Sequence, residues 1–229
     1  VPLRTKSGRA ASIFAILALA VLLFAAWRYG THWRPDPKRY PTQGIDVSAA
    51  NGAVNWPLVH LHGVDFAYIR ATDGATTRDA KFADNWAAAK AAGIPRGAEH
   101  VFSLCSSADD QAANFVQTVP READALPSAL RLAFEPDCSE RPPRDAVVKR
   151  VATFLRFAEH HMGKPMLIDI SPAFEKQYRI SEDIARPVWS ERNFRAPDYA
   201  ARPWKIWRAN AYRNIDGVPT SVDWDVIAP

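Results

Sequence analysis

Leu126-Pro-Ser-Ala-Leu-Arg-Leu-Ala-Phe-Glu135 reads as a strand entered from a turn. Pro127 and Ser128 interrupt the preceding segment. From Ala129 to Glu135, Leu130, Leu132 and Phe134 alternate with Arg131 and Ala133, the period of a strand with two different faces. Glu135 falls two residues beyond Ala133, on the same face and about 6–7 Å farther along.

Outward from this strand, strand-like and helix-like segments alternate in both directions. Upstream, Gly44–Ser48, Phe66–Thr72 and Gly97–Phe102 are short runs of strand formers. Between them lie helical patterns: Val54–His62, with Trp56 and Val59 facing inward; Asp79–Ala92, with Phe82 and Trp86 one turn apart and Gly93 as a stop; and Ser106–Val119, with Ala112, Phe115 and Val119 at helical spacing. Downstream, Pro143–Met162 is a long helix with Val147, Val151, Phe154 and Phe157 along one side, followed by a strand at Met166–Ile170. Pro187–Ser190, Trp204–Trp207 and Val222–Ile227 are strands with little helix between them. About five β/α units followed by closing strands predict an α/β fold, a TIM-like barrel rather than an open sheet. No solenoid repeat, Gly-x-Gly-x-x-Gly or Walker loop occurs, which removes the nucleotide-binding readings.

The first 42 residues have a different character. Arg4, Lys6 and Arg9 precede a run from Ala10 to Trp27 whose one polar residue is Ser12. That length is near the lower limit for crossing a bilayer core of about 30 Å as a helix, and basic residues ahead of it predict a cytoplasmic start. The expected organisation is a basic cytoplasmic tail (1–9), a transmembrane anchor (10–27), a linker rich in Pro35, Pro37 and Pro41 (28–42), and an exported domain (43–229). A cleaved signal peptide is the alternative, although Leu23 and Phe24 make a poor cleavage site.

Charge follows the same division. The chain is +4 overall, but seven basic residues against Asp36 place about +6 in residues 1–39, leaving about −2 for the rest. The folded domain therefore has no excess of positive charge for phosphates, and nucleic acid is not expected as a partner. The basic start suits anionic lipid.

Cys105 and Cys138 both follow predicted strands, beside polar loop residues. Export permits a disulfide between them; two separate buried thiols are the alternative. No Cys-x-x-Cys occurs, and His160 and His161 have no evident third ligand, so neither a metal nor a cofactor is expected.

An ordered set of motifs resembles glycoside hydrolase family 25, the Chalaropsis-type lysozymes that cleave peptidoglycan. The set comprises Gly44-Ile-Asp-Val-Ser48, Asn51-Gly52, Val54-Asn-Trp56, Phe66-Ala-Tyr-Ile-Arg-Ala-Thr-Asp-Gly74, Asp79-Ala-Lys-Phe-Ala-Asp-Asn85 and Ala91-Ala-Gly-Ile94. It continues with Gly97-Ala-Glu-His-Val-Phe102, Gln111-Ala-Ala-Asn-Phe115, Trp207 and Val222-Asp-Trp-Asp-Val-Ile227. The resemblance spans about Gly44 to Ile227. It implies a flattened β/α barrel with a sugar cleft at the C-terminal strand ends.

It also implies acid chemistry in that cleft. One carboxyl protonates the departing sugar oxygen, and another carboxylate handles water or the positively charged ring. The family's Asp-x-Glu at the end of the fourth strand falls on Arg131 and Ala133 here, a pair that can neither donate a proton nor replace a carboxylate. Asp46 and Asp223 match the family's first-strand and late aspartates, and Glu135 is a candidate relocated acid. Asp73 sits where glutamate is common, Glu99 replaces an aromatic ahead of His100, Asp169 falls where an aromatic is common, and Trp207-Arg-Ala209 replaces Trp-Gln-Tyr. Asp73, Glu99, His100, Asp169 and Trp207 are thus candidate substrate contacts; the alternatives are a turn cap for Asp73, a buried orienting residue for His100 and core packing for Trp207. A salt bridge between Arg131 and Asp46 would fill the old active site.

The leading expectation is an inner-membrane protein with its domain in the periplasm. It would be lysozyme-like and directed at peptidoglycan, with muramidase chemistry lost or weakened and the cleft binding glycan or a protein partner. Two alternatives stand beside it: an active muramidase using Glu135 with Asp46 and Asp223, and a structural module of an envelope complex.

Overall fold

A computed structural model describes residues 6–229, with side chains described from Ala11 onward. The basic tail expected at 1–9 lies partly outside the described residues.

The elements follow the predicted alternation. Helix α1 (Lys6–His32) leads to β1 (Gln43–Val47), a single turn at Ala49–Asn51, α2 (Trp56–Leu61), β2 (Phe66–Asp73) and the two-residue β3 (Thr77–Arg78). Next come α3 (Phe82–Ala91), β4 (Arg96–Val101), α4 (Ala108–Thr118), β5 (Ala129–Leu132), α5 (Arg144–Met162) and β6 (Leu167–Ile170). The chain ends with α6 (Pro172–Tyr178), α7 (Ile180–Asp183), β7 (Val188–Glu191), β8 (Trp204–Arg213) and β9 (Val222–Ile227).

The strands run in the order β1-β9-β8-β7-β6-β5-β4-β2, and pairing of β1 with β2 closes them into an eight-stranded barrel. All neighbours are parallel except at β9, which is antiparallel to both β1 and β8. A β-hairpin of β8 and β9 therefore replaces the last β/α unit, and no crossover helix is needed there.

Strand alternation sorts side chains into two layers. Outward residues such as Ile45, Ile69, Leu130, Ile168, Val188 and Trp224 join the helix faces in one buried core. The long helix α5 contributes Val147, Val151, Phe154, Leu155, Ala158 and Met162. Phe157, expected on its packed side, is 43% exposed because the buried stripe passes through Ala158 instead. Inward residues Phe66, Tyr68, Ala129, Leu167, Trp189 and Ile206 plug the lower half of the barrel. With that half filled by rings and aliphatic side chains, the charged side chains inside the barrel collect in its upper half.

Four expectations are corrected. The fourth predicted strand stops at Leu132, not Glu135; the Leu132 carbonyl accepts from Ser171 N (3.0 Å) as the chain turns away, so Ala133 and Glu135 are loop residues. Strand β8 runs six residues past the predicted end at Trp207. The first helix continues beyond Trp27 to His32. Residues 33–42, expected as a free linker, lie against the barrel: Tyr40 is buried and the Gln43 side chain donates to the carbonyls of Pro35 (3.0 Å) and Tyr40 (2.9 Å).

Cys105 and Cys138 form a disulfide, with Cα atoms 5.8 Å apart. It joins the segments that follow β4 and β5 at the mouth.

Candidate functional site

Each strand of the barrel sends a charged side chain into its upper half. These are Asp46 (β1), Arg70 (β2), Glu99 (β4), Arg131 (β5), Asp169 (β6), Glu191 (β7), Arg208 (β8), and Asp223 and Asp225 (β9). All sit at positions that alternate with core-facing residues, so the strand period alone brings them together.

Arg208 is the hub. Its side chain is 3% exposed. Nε and Nη2 donate to the same Asp46 oxygen at 2.8 and 2.6 Å, Nη2 also reaches Asp169 at 2.9 Å, Nη1 reaches Glu191 at 3.1 Å, and Nε lies 3.1 Å from Asp223. The planar fork suits this task, since five donors point in fixed directions. The guanidinium also lies over the Trp189 ring, 4.9 Å from its centroid.

Arg131 forms a second bracket nearer to solvent. Nη1 donates to Asp169 at 3.1 Å, Nη2 lies 3.5 Å from Glu191, and Glu99 is 3.9 Å away. Arg70 approaches Glu99 from the other side at 3.6 Å. Asp46 thus has an arginine partner, but it is Arg208 rather than the expected Arg131, which is bound by Asp169 and Glu191.

Six carboxyl groups share this space with three guanidinium groups, and burial and neighbouring charge shift four of them in different directions. Burial alone would push Asp46 up, but the charges of Arg208 and Arg131 outweigh it and hold the carboxyl below its usual range. Burial, with the neighbouring Asp46 charge, pushes Asp223 up to about 7. Asp225 is fully buried, and neither of its oxygens meets a donor among the described residues. Burial and the Asp46 charge raise it well above the normal carboxylate range. Burial raises Glu99 too, against the opposing charge of Arg131. Burial would lower Arg208, but Asp169 and Asp46 reverse this and hold it firmly cationic.

Two hollows, of about 400 and 420 Å³, flank this lattice. One is lined by Glu191, Arg192, Asn193 and Arg208. The other holds Arg131, Ala133, Asp73, Ser103 and Glu135 beside the disulfide. In it the Glu135 carboxyl is pushed up by burial; a hydrogen bond to Ser103 opposes this, and the hydrogen-bonded Asp73 adds to the rise. Ala133 offers a methyl group to this hollow.

The predicted site residues separate accordingly. Asp46, Glu99, Arg131, Asp169 and Asp223 converge in the barrel lattice, while Asp73, Ala133 and Glu135 share the adjoining hollow. His100 and Trp207 are not in the cleft. His100 points outward, stacks on Phe154 with centroids 4.4 Å apart, and bonds Thr72 and Gln111. Burial lowers it to about 3, so it is neutral. Trp207 also faces outward, against Trp33, Tyr40 and Trp204, and donates to the Arg192 carbonyl at 2.7 Å. The sequence reading missed Arg208, Glu191, Asp225 and Arg70. The signal for Arg208 was the unusual Trp207-Arg-Ala209, one residue from a tryptophan whose outward position sends the arginine inward.

The comparisons with known proteins agree with this geometry. The profile of glycosyl hydrolases family 25 matches residues 45–218. A protein of Escherichia coli K12 named YegX is 31% identical over 196 residues, covering 83% of this chain and 71% of that protein. Lysozyme M1 of Streptomyces globisporus is 37% identical over 98 residues, 41% of this chain and 33% of that enzyme. Among solved structures, a family 25 glycosyl hydrolase of Bacillus anthracis superposes with a TM-score of 0.79 at 26% identity, covering 87% of this chain and 93% of that one. A bacterial lysozyme of Streptomyces coelicolor gives 0.75 at 26% identity, covering 82% and 92%.

Proposed function

Because the chain belongs to glycosyl hydrolase family 25, we propose that it is a membrane-anchored, lysozyme-like protein directed at peptidoglycan, whose cleft binds glycan while muramidase turnover is lost or weakened. The observation that carries this reading is the double grip of Arg208 on Asp46, beside a methyl group at Ala133. Glycoside cleavage needs a proton-bearing carboxyl and a second carboxylate facing the scissile bond. Here Asp46 is turned into an internal ion pair, and the positions of the family's acidic pair carry Arg131 and Ala133. Loss of a general acid alone removes about 10²–10⁴-fold in rate.

The hollows that remain are rimmed by guanidinium and carboxyl groups, which suit a ligand rich in hydroxyls. The apolar span Ala11–His32, with mean hydropathy 2.1, supports an anchor in the inner membrane and a periplasmic domain.

One observation favours the active alternative. Glu135, raised by burial and bonded to Asp73, is a carboxyl able to hold a proton beside a cavity. Incubation of the full chain in detergent with purified sacculi separates these readings. Sedimentation of the protein with sacculi and no new reducing ends supports a glycan-binding domain. Muropeptide release that Glu135→Gln abolishes would overturn it. Neither binding nor release would leave the envelope-complex module.

A further inference from the structure

Helix α1 is joined to the barrel at a definite place. The carbonyls of its last turn, which have no partner inside the helix, are met by the upper part of β8 and the residue after it. Asn210 Nδ2 donates to Gly30 O at 2.8 Å and to Trp33 O at 2.9 Å, Asn214 N donates to Thr31 O at 2.8 Å, and the Arg213 guanidinium donates to His32 O. Aromatic rings complete the joint: Phe194 lies 5.3 Å from Trp33 and 6.3 Å from Tyr29.

This joint lies at the mouth end of the barrel. Arg208 marks the cleft floor on β8, and Tyr212 is four residues farther along, about 13 Å towards the mouth. Phe194 belongs to the loop leaving the upper end of β7. From Trp33 the chain then descends the outside of β8, where Tyr40 meets Trp207 (5.8 Å) and Trp204 (6.1 Å), and it enters β1 at the opposite end. The apolar residues of α1 before Trp27 stay open to their surroundings: Phe14 is 75% exposed and Leu22 66%. A helix lying along the barrel wall would bury some of them, so α1 departs from the mouth end.

Around the joint, Trp27, Tyr29, Phe194 and Tyr212 are all large and exposed, at the point where the candidate span Ala11–His32 ends. Arg28 and Arg195 stand exposed beside them. Exposed aromatics with arginines at the end of an apolar helix have the composition of the bilayer interface, where rings sit among headgroups and guanidinium groups meet anionic lipid.

We propose that this rim rests on the lipid surface, so that the barrel mouth faces the bilayer and the cleft is entered along the membrane. The partner is the phospholipid headgroup layer, with Phe194 and Tyr212 as its contacts on the barrel. This placement rests on α1 being a membrane anchor. It gives the hollow between Arg192 and Arg208 a near-membrane position, so a glycan reaching it must pass between the rim and the bilayer.

The test uses the full chain in vesicles of phosphatidylethanolamine and phosphatidylglycerol. One added cysteine is labelled with an environment-sensitive fluorophore, the native pair being held in the disulfide. Phe194→Cys and Tyr212→Cys report the rim. Ala123→Cys, exposed in the segment before β5, reports the far end. Lipids spin-labelled near the headgroup should quench the labels at 194 and 212 several-fold more than the label at 123. Equal quenching at all three sites, or stronger quenching at 123, overturns the placement. An alkaline carbonate wash keeps the two failures apart. Protein released by the wash has no anchor, which defeats that reading and this one together. Protein retained without differential quenching defeats this one alone. Asn210→Ala, which frees the helix joint without touching the span, should narrow the difference between the two ends.

Discussion

Arg208 holds Asp46 through two hydrogen bonds to one carboxylate oxygen, 2.8 Å from Nε and 2.6 Å from Nη2, across 162 positions of chain. The first barrel strand is thereby tied to β8, the seventh strand of the ring along the chain. The same guanidinium reaches Asp169, Glu191 and Asp223. Its removal affects fold and chemistry together.

Arg208→Ala should destabilise the domain by about 3–5 kcal/mol near neutral pH, because buried carboxylates lose their counter-charge. The loss should be smaller at pH 5, where Asp223, pushed up to about 7 in the fold, holds its proton. Urea unfolding at the two pH values reads both. Equal, small losses would mean that the lattice carries little of the stability.

Asp223 gives the domain a pH dependence of definite sign. Its folded carboxyl is pushed up to about 7 from an unfolded value near 3.8. Between these values the unfolded chain releases a proton that the folded one keeps, so stability falls as pH rises from about 4 to about 7. Raised Glu99 and Asp225 add in the same direction, whereas Asp46, which is lowered, acts only below this window. Asp223→Asn should flatten the slope of the unfolding free energy against pH in that range. An unchanged slope would remove Asp223 as its source.

Restoring the family's acidic pair should not restore turnover by itself. Arg131→Asp with Ala133→Glu adds two carboxyls beside Glu99, Asp169 and Glu191 while removing one cation, and Asp46 stays bound by Arg208. We expect a less stable protein without new reducing ends from sacculi. Adding Arg208→Gln, which frees Asp46, is the change expected to bring measurable cleavage. Activity in the double variant alone would show that the grip of Arg208 on Asp46 is no obstacle.

The disulfide closes a loop with a sequence separation of 33. On chain-entropy grounds, replacing Cys105 and Cys138 by serine should cost about 3–4 kcal/mol, read as a shift of the urea midpoint. Intact mass with and without reductant should differ by two hydrogens.

Much of this molecule was legible from pattern. The strands Phe66–Thr72, Gly97–Phe102 and Met166–Ile170 and the long helix to Met162 were visible because each carries its own period and stop signals. Ala133–Glu135 misled for a local reason: alternation continued in the sequence after the backbone had left the sheet at Leu132. The end of β8 was hidden because Asn210 and Arg213 are poor markers of a strand; their side chains meet the carbonyls at the end of α1. His100 and Trp207 were drawn into the expected cleft by their chemistry, although strand parity had already assigned them to the opposite face from Glu99 and Arg208.

The sequence by itself determined the alternation of strands and helices, the apolar leading helix and the absence of acids at positions 131 and 133, because periodicity and residue identity are properties of the chain. Only the tertiary structure decided which arginine binds Asp46, which way burial and charge shift the carboxyls of the cleft, and which end of the barrel the helix leaves from. Those outcomes depend on distances between side chains on separate strands and on how far each is removed from water. Neither quantity exists until the ring of strands has closed.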